Sequence, residues 1–321
     1  MKRWHWMVSA IVIALLAFAA LQVHWAAAAN AICRASLALV LLALALNGAS
    51  LLLRALRWRV FLRAARIGSL STAIRGVIVA CGFNNLVVAN GGEAARVLLV
   101  TRTTGASAAS VLATVALDRL FDPICFALLL LVGTLTVPLP ASLSGLRVLG
   151  TALLVAAMVV LVVLLKAPRA APSATGKGWR HQLSVLRGCI LCLSTAPRFG
   201  IALLLSAAVW LLQVAEYAVV ARSLGMTLPF AASVAAMIVI NAGLLLRATP
   251  GGIGYFEFAY ALAVSHFGVS TDIAVATALV IQMIEIIPVT VAALLITLPA
   301  ARPLRSSKAW STTVMSLGGH L

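Results

Sequence analysis

The stretch 248–260, ATPGGIGYFEFAY, lies between two long apolar runs and decides how the chain is interpreted. It places a proline, three glycines and a glutamate where hydrocarbon depth is expected for a membrane protein. Proline and glycine interrupt a helix, and a non-helical backbone is tolerated inside a bilayer only where protein or a water-filled cavity covers it. The stretch is therefore either a surface loop or a broken helix within the membrane.

The composition of the chain indicates a membrane protein. Of its 321 residues, 63% are hydrophobic and only 10% are charged. A soluble domain of this length carries far more charge, so we predict an all-α, polytopic membrane protein. The formal net charge is +17, and the basic residues fall in the gaps between apolar runs. That pattern indicates cytoplasmic loops and contact with membrane lipids, through their anionic headgroups, rather than nucleic acid.

The apolar runs are long enough to define spans, since a helix needs about 20 residues to cross the bilayer core. They predict about eight spans in a single transmembrane domain over 1–321, with a broken region at 74–108. The spans are expected near 7–28, 36–53, 109–137, 145–165, 199–221, 231–248, 254–268 and 273–298. We expect the first helix to be retained rather than cleaved as a signal peptide.

Lysine and arginine set the expected orientation. They are concentrated at the N-terminus, in 54–75, in a loop at 166–198 and in a tail at 299–321. All of these fall on one side only if 74–108 enters and returns to the same face. This predicts a re-entrant hairpin or two short spans there, with both termini, the loop and the tail cytoplasmic. The arginine-rich segment 54–66 is expected to be an amphipathic helix on the inner surface, with Trp58 in the interfacial aromatic belt.

Two segments of the chain, 68–137 and 225–298, resemble each other. Each has an apolar run, a Gly-Gly pair and a further apolar stretch that ends in glycine. From that glycine the offsets of several residues agree: Gly105 with Gly268, Ser107 with Ser270, Thr114 with Thr277, and Asp122 with Glu285. With the topology above, the copies begin on opposite faces, which is typical of an inverted repeat with interrupted helices. The alternative is that apolar helices resemble each other in composition.

Four motifs together resemble the lysylphosphatidylglycerol synthase transmembrane family, whose members are also called flippase-like. The motifs are G-x-x-N (Gly82, Asn85), GE-x-x-R (Gly92, Glu93, Arg96), DRLFD (Asp118, Arg119, Asp122) and TPGG-x-G-x-x-E (Thr249, Pro250, Gly251, Gly252, Gly254, Glu257). The resemblance implies a polytopic inner-membrane protein that moves a phospholipid, or a polyprenyl- or hopanoid-type lipid, between leaflets. It also implies a separate lipid-modifying enzyme as a partner. An arginine common in the family's last span is replaced here by Gln282 or Glu285.

The motifs give a set of expected substrate- or headgroup-binding residues. The set comprises Asn85, Gly92, Glu93, Arg96, Asp118, Arg119, Asp122, Thr249, Pro250, Gly251, Gly252, Gly254 and Glu257. Charges at membrane depth are costly and usually face the bundle interior, so Arg96 is expected to contact a lipid phosphate with Glu93 beside it. The alternative is that Glu93–Arg96 and Arg119–Asp122, each three residues apart, are structural ion pairs. Glu257 either stabilises a helix N-terminus or lines the substrate cavity.

Glu216 and Glu285 are candidates for proton coupling. Both lie within apolar runs, where an isolated charge is costly, so each is suited to taking up and releasing a proton. Arg247, just before the glycine-rich stretch, is an alternative partner for one of them.

The leading functional hypothesis is a lipid translocator. The sequence has no P-loop, so the chain is not expected to hydrolyse ATP. The alternatives are a membrane-embedded lipid-modifying transferase, or a non-catalytic partner of one. An enzyme would need a nucleophile or a metal-binding set, and the five cysteines and five histidines form no cluster with ligand spacing. We therefore expect no metal, no cofactor and no nucleic-acid partner.

Overall fold

The computed structural model describes residues 24–86, 91–136, 145–166, 188, 190–191, 194–244 and 250–298. Their regular structure is helical throughout. The helices are α1 (Trp25–Cys33), α2 (Leu37–Ala64), α3 (Leu70–Leu86), α4 (Gly91–Thr104), α5 (Ala108–Thr136), α6 (Gly145–Lys166), α7 (Ala196–Ser223), α8 (Phe230–Leu244), α9 (Tyr255–Ser265) and α10 (Thr271–Thr297). A turn of 3₁₀ helix, Pro250–Gly252, lies between α8 and α9. Most of the first predicted span, most of the predicted loop at 166–198, and the tail lie outside the described residues.

Three of these helices have the length and composition of membrane spans. They are α2, α7 and α10, each of 27 or 28 residues, which is about 40 Å at the helical rise. The outer surface is apolar: Leu37, Val148 and Leu204 are 71–73% exposed. Polar side chains such as Arg57, Arg96 and Glu216 are instead buried in the interior. The protein is thus an all-α, polytopic membrane protein, as predicted.

The observed helices follow most of the predicted spans to within a few residues, but the end of α2 is different. The prediction of a separate amphipathic surface helix over 54–66 is wrong, because residues 54–64 continue α2. Arg57 and Trp58 are 2% and 0% exposed, so Trp58 does not belong to an interfacial belt. Arg57 of α2 can lie in the core because acidic side chains of another helix neutralise its charge.

The two similar segments contain the same order of elements. In the first, α3 is followed by a break, α4, a turn at Gly105 and the long helix α5. In the second, α8 is followed by the 3₁₀ turn, α9, a turn at Gly268 and the long helix α10. The packing is exchanged between them, since α3 packs on α10 and α8 packs on α5. A pseudo-two-fold relation would produce such an exchange, and the inverted repeat stays a prediction.

Corresponding residues of the two segments also have matching surroundings. Thr114 and Thr277 are both fully buried. Each donates a hydrogen bond to a carbonyl of its own helix at 2.7 Å, Thr114 to Val111 and Thr277 to Ile273. Proline lies within both long helices, at Pro123 and Pro288.

Helices α3 and α4 form a tight hairpin, and Gly92 sets their separation. The Gly92 amide donates a hydrogen bond to Oδ1 of Asn84 at 3.0 Å. A Cβ at Gly92 would lie 1.9 Å from the carbonyl oxygen of Ala80. No side chain can be accommodated there without separating the two helices, so this glycine has a packing role.

We predict that Gly92→Ala lowers the stability of the detergent-solubilised protein by about 1–3 kcal/mol, the usual cost of overpacking. The measurement is the midpoint of thermal unfolding. The control is Gly48→Ala in the middle of α2, where an added Cβ meets nothing within 4 Å. The Gly48→Ala variant should have the same unfolding midpoint as the wild type or a slightly higher one, because alanine is a better helix former than glycine. Equal midpoints for the two variants would contradict the packing role of Gly92.

Candidate functional site

Six charged side chains from α2, α4 and α5 form a closed ring in the interior of the bundle. Arginines alternate with acids all the way round, and we call this set the charge ring. Its order is Arg57, Asp118, Arg96, Glu93, Arg119, Asp122 and back to Arg57. Three positive and three negative charges sum to zero, so the ring is neutral as a unit.

Arg57 joins the ring to a fourth helix. Its Nε lies 2.8 Å from Oδ1 of Asp118, and its Nη1 lies 2.8 Å from Oδ1 of Asp122. The same Nη1 donates to Oγ of Ser206 on α7, also at 2.8 Å. The guanidinium thereby links α2 to both α5 and α7, and its charge is matched by two carboxylates.

Arg96 is enclosed on every side by described residues. Its Nη2 lies 3.0 Å from Oδ2 of Asp118, and its Nη1 lies 3.4 Å from Oε2 of Glu93. Its Cζ is 3.6 Å from the centroid of the Trp58 ring, a cation–π contact. Trp58 Nε1 in turn donates to Oγ1 of Thr114 at 3.1 Å. Arg96 is only 1% exposed, so a headgroup cannot reach it in this conformation.

The remaining members of the ring face a more open region. Arg119 bonds to Glu93 through Nη2 and to Asp122 through Nη1, the latter at 2.9 Å. The side chains of Glu93, Arg119 and Asp122 are 20–35% exposed, against 1–3% for the inner members. The ring therefore has a dry side, formed by Arg57, Arg96 and Asp118, and a more exposed side, from which Arg119 and Asp122 face a cavity.

Arg57 is absent from the site predicted from the sequence, because it lies in a segment that contains many arginines. A charge count gives the signal that could have found it. The predicted site contains three acids in its first half, at positions 93, 118 and 122, but only two cations, Arg96 and Arg119. A buried cluster must be close to neutral, so a third cation from another helix is required.

A cavity of about 600 Å³ lies in the centre of the bundle, beside the charge ring. That volume is within the range of small-molecule binding sites. Its wall is formed by α2, α3, the five helices α5–α9 and α10, together with the 3₁₀ turn. The polar wall residues are Asn47, Ser50, Arg54, Asn84, Asn85, Arg119, Asp122, Gln213, Tyr217, Asn241, Gln282 and Glu285. Six of them are carboxamides, which can donate and accept hydrogen bonds without carrying a charge.

Several residues of the predicted site line this cavity. Asn85 reaches across from α3, and its Nδ2 donates to Oγ1 of Thr290 on α10 at 3.3 Å. Gly251 and Gly252 form another part of the wall, and the Gly251 carbonyl accepts a hydrogen bond from Gln282 Nε2 at 3.3 Å. Asp122 and Arg119 of the charge ring complete the set. The structure thus brings the end of α3, the TPGG stretch and the DRLFD motif to one place.

The TPGG stretch has a non-helical backbone of the kind that glycine permits. Gly251, Gly252 and Gly254 have φ of 63°, 72° and 85°, in the left-handed region. The Gly254 amide donates to Oε2 of Glu257 at 2.7 Å, so this carboxylate caps its own helix, α9. Glu257 is 8% exposed and does not line the cavity. Pro250 begins the 3₁₀ turn, and Thr249 lies outside the described residues.

The two proton-coupling candidates lie next to each other, one at the wall and one behind it. Glu285 lines the cavity and interacts with the side chain of Tyr217. Glu216 is fully buried, and Nδ2 of Asn47 lies 3.4 and 3.3 Å from its two carboxylate oxygens. The two carboxylates are near enough to affect each other electrostatically, and Arg54 is the cation that acts on both. Arg247 lies outside the described residues.

We predict that breaking the dry side of the charge ring destabilises the protein strongly. Asp118→Asn leaves one excess positive charge beside Arg57 and Arg96 in the interior, and should lower the free energy of unfolding by about 3–5 kcal/mol. Glu93→Gln removes an acid from the cavity side, where water can solvate Arg119, and should cost less. Thermal unfolding in detergent measures both effects.

A double variant tests whether Arg96 and Asp118 act as an ion pair. The double variant Arg96→Met/Asp118→Asn should lose less stability than the sum of the losses in the two single variants. The reason is that each substitution removes the partner that the other would leave unpaired. Costs that simply add would show that Arg96 and Asp118 do not act as an ion pair.

Comparison with known proteins agrees with this structure. The family model described as "Lysylphosphatidylglycerol synthase TM region" matches residues 6–293. The chain is also similar to the UPF0104 membrane protein PH1989 of Pyrococcus horikoshii, with 37% identity over 95 residues. That match covers 28% of this chain and 28% of the relative. The charge ring, the cavity and the TPGG turn all lie within the region of the family match, and the chain belongs to the lysylphosphatidylglycerol synthase transmembrane-region family.

Proposed function

We propose that this protein is a lipid translocator of the inner membrane that moves a lipid headgroup through its central cavity. The observation that carries the proposal is a cavity of about 600 Å³, with twelve polar residues in its wall, inside a bundle with an apolar outer surface. A headgroup needs polar contacts to cross the hydrocarbon layer, whereas the acyl or prenyl tails can remain outside in lipid. The family membership supports a membrane protein, and the cavity supports a role in transport.

The composition of the wall suits this task. Carboxamides, a tyrosine and a serine can replace the water of a hydroxyl- or phosphate-bearing headgroup. The C-terminal end of α3 and the 3₁₀ turn before α9 lie at the cavity, where non-helical backbone can be covered or hydrated. The exchanged packing of α3 with α10 and of α8 with α5 supports an inverted repeat, whose halves would rock around the cavity.

The orientation follows from the proposal and the distribution of arginine and lysine. Both termini and the loop at 166–198 would be cytoplasmic, in agreement with the positive-inside rule. The membrane-embedded transferase remains the alternative. Turnover of a lipid by the purified protein in detergent, where transport cannot be scored, would favour the transferase over the translocator.

We predict that filling the cavity blocks transport without unfolding the protein. Asn241 lines the cavity, and its Nδ2 donates only to the Met237 carbonyl of its own helix, at 2.9 Å. Asn241→Phe should therefore leave the inter-helix bonds intact and lower translocation by at least about tenfold, because even 1.4 kcal/mol of lost binding is tenfold. The measurement is the rate at which fluorescent phospholipid in proteoliposomes becomes accessible to a membrane-impermeant quencher.

The matched control is Leu204→Phe. Leu204 is 73% exposed on the outer face of α7, where the same side chain meets lipid. This variant should translocate at the wild-type rate. If Asn241→Phe and Leu204→Phe translocate equally fast, the headgroup does not pass through the cavity.

A second prediction concerns Glu285. If it carries the coupling proton, an imposed pH gradient should accelerate translocation by the wild type, and Glu285→Gln should remove that acceleration while keeping the rate without a gradient. Asp272→Asn serves as control, since Asp272 lies at the start of α10, pairs with His24 and does not line the cavity. A gradient response that survives in Glu285→Gln would exclude this carboxylate as the coupling group.

A further inference from the structure

Arg54 differs from the other arginine of the cavity wall in having no partner of its own. The described wall contains two arginines, Arg54 and Arg119. Both Nη atoms of Arg119 are bonded to acids of the charge ring. Arg54 makes no ion pair with any described residue, and its Nε is buried without a hydrogen-bond partner among them. Arg54 is half-buried at the cavity wall, where a guanidinium without an ion-pair partner can bind an anion from the cavity.

The position of Arg54 is defined by one face of α2. Asn47, Ser50, Leu51 and Arg54 follow each other at helical spacing and all line the cavity. Arg54 also lines a small cleft beside Arg57, Arg96 and Asp118. It therefore lies where the cavity meets the charge ring, at the end of a polar stripe along α2.

The carboxylates near Arg54 are engaged elsewhere. Its charge acts on Asp122, Glu216 and Glu285. Asp122 is bonded to Arg57 and Arg119, Glu216 accepts hydrogen bonds from Asn47, and Glu285 interacts with Tyr217. No described acid lies within 4 Å of the Arg54 guanidinium. The arrangement leaves its planar, bidentate donor face available to an anion in the cavity.

We propose that Arg54 is the anion-binding residue of the cavity and holds a phosphate group of the lipid headgroup. This inference rests on the proposed function and adds the residue and the ligand group: the transported lipid carries a phosphate, and neutral lipids are excluded. The guanidinium fork binds two phosphate oxygens, and neighbouring carboxamides such as Asn84 and Asn85 bind the polar remainder of the headgroup. The charge ring takes no part in this binding, because each of its members is already paired.

The test is ligand binding by the purified full-length protein in an uncharged detergent. Three soluble probes are compared: dihexanoyl phosphatidylglycerol, dihexanoylglycerol, which lacks the phosphate, and inorganic phosphate. The readout is the rise in thermal midpoint with probe concentration. We expect the wild type to bind the phospholipid at least tenfold more tightly than either of the other two.

Arg54→Gln should weaken phospholipid binding by about 10- to 100-fold, as expected for loss of a charge-assisted contact. Arg54→Lys keeps the charge but not the fork, and should weaken it by a smaller factor; it also serves if the glutamine variant fails to fold. The control is Arg59→Gln. Arg59 lies on the same helix and has the same kind of buried, unpartnered Nε, but it does not line the cavity. The Arg59→Gln variant should bind the phospholipid as tightly as the wild type does.

Three results would overturn the proposal. One is unchanged phospholipid binding by both Arg54 variants. Another is equal binding of dihexanoylglycerol, which would show that the phosphate is not recognised. A third is Arg54-dependent binding of inorganic phosphate without binding of the phospholipid, which would identify a free anion as the ligand. Translocation is measured separately in proteoliposomes. If the protein translocates lipid but the Arg54 variants bind phospholipid as the wild type does, only this inference is refuted. If phospholipid binding depends on Arg54 but the protein translocates no lipid, only the proposed translocator function is refuted.

Discussion

The need to neutralise charge inside a membrane protein determines the centre of this structure. A single arginine or acid in hydrocarbon costs several kcal/mol, and α2, α4 and α5 each bring such groups to the interior. The closed ring of three arginines and three acids resolves this by making the cluster neutral and bonding each member to two neighbours. Once those bonds form, the relative positions of the three helices are fixed, and Ser206 extends the constraint to α7.

The cavity is a consequence of that arrangement. The ring borders the cavity through Arg119 and Asp122, and residues near the C-terminal ends of α3 and α8 line it as well. Carboxamides line the remaining space and use part of their hydrogen-bonding capacity to join helices, as Asn85 does with Thr290 and Gln282 with Gly251. The same residues also line the cavity. The neutral ring and the carboxamides make a polar interior in which Arg54 is the cation that no described acid neutralises at bonding distance.

The sequence predicted the fold well because membrane helices are encoded locally. Runs of apolar residues gave the helices α5 to α10 to within a few residues, and glycine with proline located the break before α9. The motifs also located the DRLFD and TPGG parts of the site. What the sequence did not show was long-range pairing. Arg57 and Arg54 resemble the other arginines of a surface helix, and only the acids of α5 and the shape of the cavity distinguish them. Glu257 shows the reverse case, since a local cap explains it fully.

The distance along the chain between ring partners has a consequence for biogenesis. Arg57 precedes Asp118 by 61 residues, so α2 is synthesised well before its acidic partners exist. An unpaired arginine in an inserting helix costs about 2.5–3.5 kcal/mol on insertion scales. We therefore expect α2 to be retained beside the translocon, or at the membrane interface, until α5 emerges. Assembly of this protein would then proceed by cooperative entry of α2, α4 and α5 rather than by release of one helix at a time.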